Sequence, residues 1–171
     1  PREAPARITL AAAFPKGDRI DWLVEKATEI GVDRLIPLRT ERSVVDPRDS
    51  KLDRLRRTVV EASKQCGRAR FMTIAPPLSF PDFLSTATDA TRLIAQPGGR
   101  PAGTLPRLAP GGRVTLAVGP EGGFTESEVE AALELGWNPI GLGSTILRIE
   151  TAALAGAWAI IMSVDTQGVD G

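Results

Sequence analysis

Hydrophobic positions along the chain follow two periods in turn. Unbroken, mostly apolar runs fall at 7–14 (RITLAAAF), 33–38 (DRLIPL), 71–75 (FMTIA), 91–96 (TRLIAQ) and 113–118 (RVTLAV), with a shorter one at 139–143 (PIGLG). Runs of this length without alternation predict strands covered on both faces, as in a parallel sheet. Helical stripes lie between them. Ile20, Leu23, Val24, Ala27 and Ile30 follow a capping Asp18 and stop at Gly31. Leu52, Leu55, Val59, Ala62 and Cys66 follow Ser50 and Asp53 and stop at Gly67. A short helix is predicted over 79–87. Thr125 with Glu128 forms a capping box ahead of Val129, Ala132 and Leu133, and Gly136 ends that helix.

The last helix, 151–164 (TAALAGAWAIIMSV), is apolar on nearly every side, which predicts burial. Its alanines and Gly156 let another backbone come close. Burial in its own domain and burial at a dimer interface explain this equally well. The stretch 97–112 is a Pro/Gly-rich loop with no composition shift that marks a domain boundary. Strands that alternate with helices predict an α/β domain: a mostly parallel sheet with helices on both faces, spanning 1–171 as one unit.

Composition removes mechanisms. The chain has no His and one Cys, so Ser-His-Asp and Cys-His catalysis, His-bearing zinc sites and iron–sulfur clusters are excluded, and no metal is expected. Cys66 alone suits a reducing, cytoplasmic compartment. No apolar run reaches the roughly 20 residues that span a bilayer, so no membrane is expected. The chain opens at Pro1 rather than Met, which fits a piece of a longer protein.

Charge is balanced overall at 21 basic and 21 acidic residues, but residues 39–70 carry ten basic against five acidic side chains. A solvated helix face explains such a surplus more economically than a phosphate-contacting patch.

The candidate chemistry lies in two glycine-bearing turns. The first, VGPEGGF at 118–124, links a strand to a helix. It lacks the Lys-Ser/Thr of a P-loop and the Gly-x-Gly-x-x-Gly spacing of a dinucleotide fingerprint, and Glu121 opposes a phosphate. The second, LGSTILRIETAAL at 142–154, repeats the plan of strand, glycine, polar turn and apolar helix. Two such turns on adjacent parallel strands, with Pro97-Gly98-Gly99 after a third, would meet at the carboxyl edge of the sheet. They could close there on a ligand that is partly apolar and partly neutral polar.

GPEGGFTESEVE and LGSTILRIETAAL together resemble the two signature loops of the RsmE-type 16S rRNA (uracil-N(3))-methyltransferases, of the SPOUT class. PKGDRIDWLVEKATEIGVDRLIPLRTERSVV and EASKQCGR are similar to the same family's upstream elements, so the likeness covers about 14–163. It implies a C-terminal trefoil knot, a homodimer, and S-adenosylmethionine held without metal among three loops. By position the cofactor residues are Gln96 and Pro97; Gly119, Pro120, Glu121, Gly122 and Gly123; and Leu142, Gly143, Ile146, Leu147 and Arg148. Ile149 and Gln96 depart from the family, which usually has a polar residue at the first and often His or Glu at the second.

The resemblance implies methylation of a uridine at base N(3) in 16S rRNA, within the small ribosomal subunit. It also implies a preceding PUA-like RNA-binding domain, which this chain lacks. Arg148 is then the candidate to stabilise charge developing on the base, against a salt bridge to Glu150 at the start of the helix. Glu150 is the candidate proton acceptor, against capping of the helix near Thr151. Arg39, Arg42, Ser43 and Arg68 are candidates for RNA contact. A ribose 2′-O-methyltransferase of the same class would carry Ser-Leu-Asn where this chain reads Ile-Leu-Arg. A non-catalytic RNA-binding module is the remaining alternative.

Overall fold

The computed structural model describes residues 3–46 and 49–164. Its elements are β1 (Arg7–Ala13), α1 (Arg19–Ile30), β2 (Arg34–Arg39), α2 (Asp49–Cys66), β3 (Thr73–Ile74), β4 (Leu78–Ser79), α3 (Phe80–Thr86), β5 (Thr91–Pro101), β6 (Arg113–Val118), α4 (Glu126–Glu134), β7 (Asn138–Gly141) and α5 (Ile149–Met162), with one 3-10 turn at Ala102–Thr104. The strands form one sheet in the order β3-β2-β1-β6-β5-β7, with β4 also on β2, and every pairing is parallel.

Strand alternation explains how apolar runs serve two faces. Ile8, Leu10 and Ala12 of β1 and Val114, Leu116 and Val118 of β6 pack with α1, α2 and α5. Ala11, Ala117, Ile94 and Ile36 pack with α3, Phe124 and Trp137 on the other side. On that second face Phe80 stacks at 4.7 Å between ring centroids on Phe124, and Phe83 lies 5.2 Å from Trp137. Aromatic pairs at such spacing contribute about 1 kcal/mol each beyond their buried area.

Several expectations are corrected. Strands β6 and β7 are not neighbours, because β5 lies between them. The 97–112 stretch is not all loop. β5 pairs with β7 through Ala95↔Ile140, lets Gln96 to Gly99 loop out, and pairs again at Arg100↔Ile140 and Pro101↔Gly141. Asp18 occupies the N-cap of α1 without a side-chain cap bond. Leu133 is exposed, while Ala132 and Trp137 take the sheet-facing side.

Helix α5 starts at Ile149 with Arg148 at its N-cap, so Glu150 lies in its first turn rather than ahead of it. Nor is α5 buried all round. Ile149, Ala153, Gly156, Ala157 and Ile160 face the sheet, whereas Trp158 and Met162 are 54% and 62% exposed. A single sheet can cover only one side of a helix, and among the described residues nothing covers Trp158 and Met162. Gly156 permits the close contact: a Cβ there would lie 2.5 Å from Cδ2 of buried Leu116. Among the described residues no helix is long and apolar enough to cross a membrane.

Candidate active site

Two loops leave the carboxyl ends of β6 and β7, the edge at which parallel sheets bind ligands, and the segment Gln96 to Gly99 that loops out of β5 between them is the third. They enclose a cleft of about 450 Å3, a size typical of small-molecule sites. Gln96 and Pro97 line it from β5. Gly119, Pro120, Glu121, Gly122 and Gly123 line it from β6, and Leu142, Gly143, Ile146 and Leu147 from β7. The structure therefore brings together every residue expected at the cofactor except Arg148. Val118, Phe124, Ile149 and Ala152 add an apolar floor, so Ile149 serves as wall.

The local chain explains the backbone lining. Gly123 and Gly143 hold φ of +71° and +134°, a left-handed region that side chains rarely enter. A Cβ on Gly119 would meet the Phe124 ring at 3.0 Å. Thr125 and Glu128 form the reciprocal capping box that fixes where the loop ends and α4 begins.

Arg148 lies on the wall of an adjoining opening of about 550 Å3, with Arg19, Glu121, Ile146 and Leu147. Glu121, Ile146 and Leu147 line both spaces and form the shared wall, whereas Arg19 and Arg148 line only the second. Arg148 has no ion pair among the described residues, so the alternative of a bridge to Glu150 is not found there. Glu150 pairs instead with Arg19, at 3.6 Å from its Nη1. The Glu150 carboxylate is buried and lines neither opening, and its Oε2 accepts no hydrogen bond. Direct contact with a substrate base is thereby withdrawn from it, and its place is behind Arg19.

Sequence reasoning missed Arg19. It sits at the first position of α1 and donates through Nη1 to Glu121 Oε1 at 2.8 Å. That hydrogen bond is the main reason the guanidinium is held more firmly protonated than usual, with the Glu150 charge adding to it against partial burial. The same bond, with the charges of Arg19, Lys16 and Arg148, lowers the Glu121 carboxyl below its ordinary value against partial burial. The partners lie 102 positions apart, and only the fold joins them.

The expected RNA-contact residues divide. Arg42 donates through Nη1 to the Gly122 carbonyl at 2.7 Å, so it abuts the cofactor loop. Ser43 closes a turn with Thr40, accepting from its N–H at 2.9 Å. Arg39 pairs with Asp46 on the surface. Arg68 is a correction: its side chain is 3% exposed, and its Nη1 donates to the carbonyls of Thr28 and Val32 at 3.1 and 2.7 Å. A guanidinium consumed by backbone carbonyls inside the domain cannot reach RNA. Among the described residues no cluster of His, Cys, Asp or Glu could hold a metal ion.

Residues 2–161 match the RNA methyltransferase domain family. Two relatives carry the name ribosomal RNA small subunit methyltransferase E. The Synechocystis protein is 36% identical, with 88% of this chain and 51% of the relative covered. The Bacillus subtilis protein is 32% identical, with 93% and 67% covered. The Neisseria gonorrhoeae enzyme of the same name, solved with bound S-adenosylmethionine, superposes with a TM-score of 0.86 at 34% identity, over 95% of this chain and 68% of that one. The chain thus spans about half the length of the Synechocystis relative and two thirds of the others. On its sequence match and its superposition, the chain belongs to the RNA methyltransferase domain family, in its small-subunit methyltransferase E branch.

Proposed function

We propose that this chain is the catalytic domain of an S-adenosylmethionine-dependent methyltransferase acting on a uridine at base N(3) in 16S rRNA. The observation that carries this reading is the convergence of the three loops on one backbone-lined cleft beside an arginine-lined opening. The lining suits the cofactor: an apolar floor from Val118, Phe124 and Ala152, and glycines whose lack of side chains lets backbone come close to a ligand. Bound there, the cofactor supplies a methyl group on a sulfonium, already a strong electrophile. The protein's task is then mainly to align the two reactants, which can account for much of a rate enhancement.

Loss of the N(3) proton to solvent leaves negative charge on the base oxygens, and the nitrogen then takes the methyl group as the sulfonium becomes a neutral thioether. Arg148, without an ion pair among the described residues, is read as the group that stabilises that charge. Ile146 and Leu147 separate the two spaces with apolar side chains and limit water between them. Arg42 abuts the cofactor loop, and with Ser43 and Arg39 close by in the chain it is read as marking the side where RNA phosphate approaches. The site is read as metal-free, because none of its chemistry calls for a Lewis acid.

We further read the C-terminal part as a trefoil knot, supported by the close crossing of Gly99 and Gly141 and by the bridge of Leu108 to Val164. The exposed apolar side of α5, with Trp158 and Met162, supports a homodimer. A single domain over 1–171 remains our reading of the chain, with RNA affinity supplied largely by the length that the relatives have in addition. An enzyme acting on the small ribosomal subunit would work in the cytoplasm.

Calorimetric titration with adenosylmethionine, with and without a chelator, tests the reading. Binding that ignores the chelator is expected, and none at all overturns it. Mass analysis of methylated rRNA separates base from ribose products. Light scattering at tens of micromolar tests the dimer, which a monomeric mass would exclude.

A further inference from the structure

The opening beside the cofactor cleft holds two guanidiniums in different states. Arg148 is unpaired. Arg19 is gripped: Nη1 by Glu121 at 2.8 Å and Glu150 at 3.6 Å, and Nε by the Lys16 carbonyl at 3.4 Å. Its Nη2 has no hydrogen-bond partner among the described residues. A buried carboxylate behind a guanidinium and a second one beside it fix the direction in which the remaining N–H groups point. Glu150 is 6% exposed, its Oε2 accepts no hydrogen bond, and Arg19 is its ion-pair partner. Such a carboxylate is costly to bury and is explained by the arginine it orients.

We propose that Arg19 is a base-reading residue which, with Arg148, receives the two carbonyl oxygens that flank the reacting nitrogen of a flipped-out uracil. This rests on the reading of the cleft as a methyltransferase site. Uracil presents acceptor, N–H and acceptor along that edge. Two donors that line one opening, whose wall of Glu121, Ile146 and Leu147 is shared with the cofactor cleft, match the outer pair. Cytosine replaces one carbonyl with an amino group, which would set donor against donor and leave both unpaired, at a cost comparable to a lost hydrogen bond. Ile146, 93% exposed on the shared wall, offers an apolar face for the ring. Glu150 and Glu121 are positioning residues in this scheme, acting through Arg19.

The test is calorimetry at low salt with this chain and short single-stranded RNAs that differ only in a central uridine or cytidine. S-adenosylhomocysteine fills the cofactor cleft so that no transfer occurs. The wild-type chain should prefer uridine about tenfold. Arg19→Gln and Arg148→Gln should each weaken uridine binding about tenfold, and the one facing the 4-position should also erase the preference against cytidine. Arg19→Lys should recover part of the affinity, and Glu150→Gln should weaken uridine binding only while Arg19 is present. S-adenosylhomocysteine affinity and Tm, measured alongside, show that each variant is folded with its cofactor loops intact. Uridine binding unchanged in Arg19→Gln, or no wild-type preference for uridine, overturns the proposal. Failure of the wild-type chain to bind S-adenosylhomocysteine or adenosylmethionine would instead overturn the reading of the cleft.

Discussion

The Arg42 guanidinium donates to the carbonyl of Gly122 at 2.7 Å, and the N–H of Glu41 donates to Glu128 Oε1 at 2.9 Å. The loop after β2 is therefore fastened at two points to the turn that lines the cofactor cleft. Glu128 also holds the Thr125 N–H at 2.9 Å, so one carboxylate serves both the capping box and the fastening. Arg42, expected to meet RNA, thus also supports the cofactor loop.

Gly122 is where this can be tested. Its φ is not positive; that conformation belongs to Gly123. A Cβ on Gly122 would lie 3.3 Å from Arg42 Cδ. A flexible arginine can yield to one methyl group but not to a branched side chain. Gly122→Ala should thus bind adenosylmethionine nearly as well as wild type. Gly122→Val should displace Arg42 and weaken binding about tenfold, about the loss of one charge-assisted hydrogen bond. Calorimetry checks both, and equal affinity in Gly122→Val would reduce the loop to a turn.

The crossing of β5 and β7 gives a sharper expectation. A Cβ on Gly99 would lie 2.7 Å from the carbonyl carbon of Ile140, and one on Gly141 would lie 2.8 Å from the oxygen of Gly99. Both contacts are with backbone, which cannot rotate away. Gly99→Ala and Gly141→Ala should each cost about 2 kcal/mol or more by forcing the strands apart. The second pairing at Arg100 and Pro101 should go with them. Urea unfolding measures the loss, and wild-type stability in either variant would show that the crossing is loose.

Arg68→Ala should act on stability. It would leave the carbonyls of Thr28 and Val32 without their donor and Glu3 and Asp33 without a buried cation, at a cost of about 3 kcal/mol. RNA and adenosylmethionine affinity, measured well below Tm, should not change. The same cluster has a pH signature. Burial works to raise the Glu3 carboxyl, but the N–H groups of Arg70 and Ala69 and the charges of Arg68 and Arg70 prevail and bring it below its ordinary value of 4.5. A lowered native value means the group stabilises the fold above 4.5 and loses that contribution as pH falls below it. Glu3→Gln should lower Tm near neutrality, where the carboxylate contributes, and flatten the dependence of Tm on pH in that acid range.

Much of this architecture can be read from the chain because the evidence for it is local. The run at 113–118 is buried on both faces, and its alternation between the two cores needs no distant partner to be foreseen. Thr125 and Glu128 lie one helical turn apart, so their box shows in the sequence. Glycine loops could be placed at the sheet edge for the same reason. What stayed hidden depends on distance in the chain. The order β6-β5-β7 follows from a crossover, and β4 is two residues whose pairing only β2 reveals. Arg19 reads as the ordinary start of an amphipathic helix until Glu121 and Glu150 stand beside it. Arg68 reads as part of a basic stretch, and only packing shows it to be internal.

That stretch limits what the domain can do with RNA. Arg48 lies outside the described residues. Of the other nine basic residues in 39–70, Arg39, Arg54, Arg56, Lys64, Arg68 and Arg70 are paired with carboxylates, leaving Arg42, Lys51 and Arg57. Phosphate contacts release counterions, and each contributes about 0.7 to the slope of log affinity against log salt on single strands. Three contacts predict a slope of about −2 and weak binding at physiological salt. The domain should therefore methylate 16S rRNA poorly by itself. A protein with the length of the curated relatives should bind more tightly and with a steeper slope. In that longer protein Arg148→Ala should lower turnover about a hundredfold, as expected for a donor aimed at developing charge. It should leave the salt slope unchanged, because the arginine meets the base rather than a phosphate. Filter binding across a salt series, with turnover at saturating RNA and adenosylmethionine, separates these outcomes. A slope that flattens in Arg148→Ala would place the side chain on the RNA backbone, and full turnover would remove it from the mechanism.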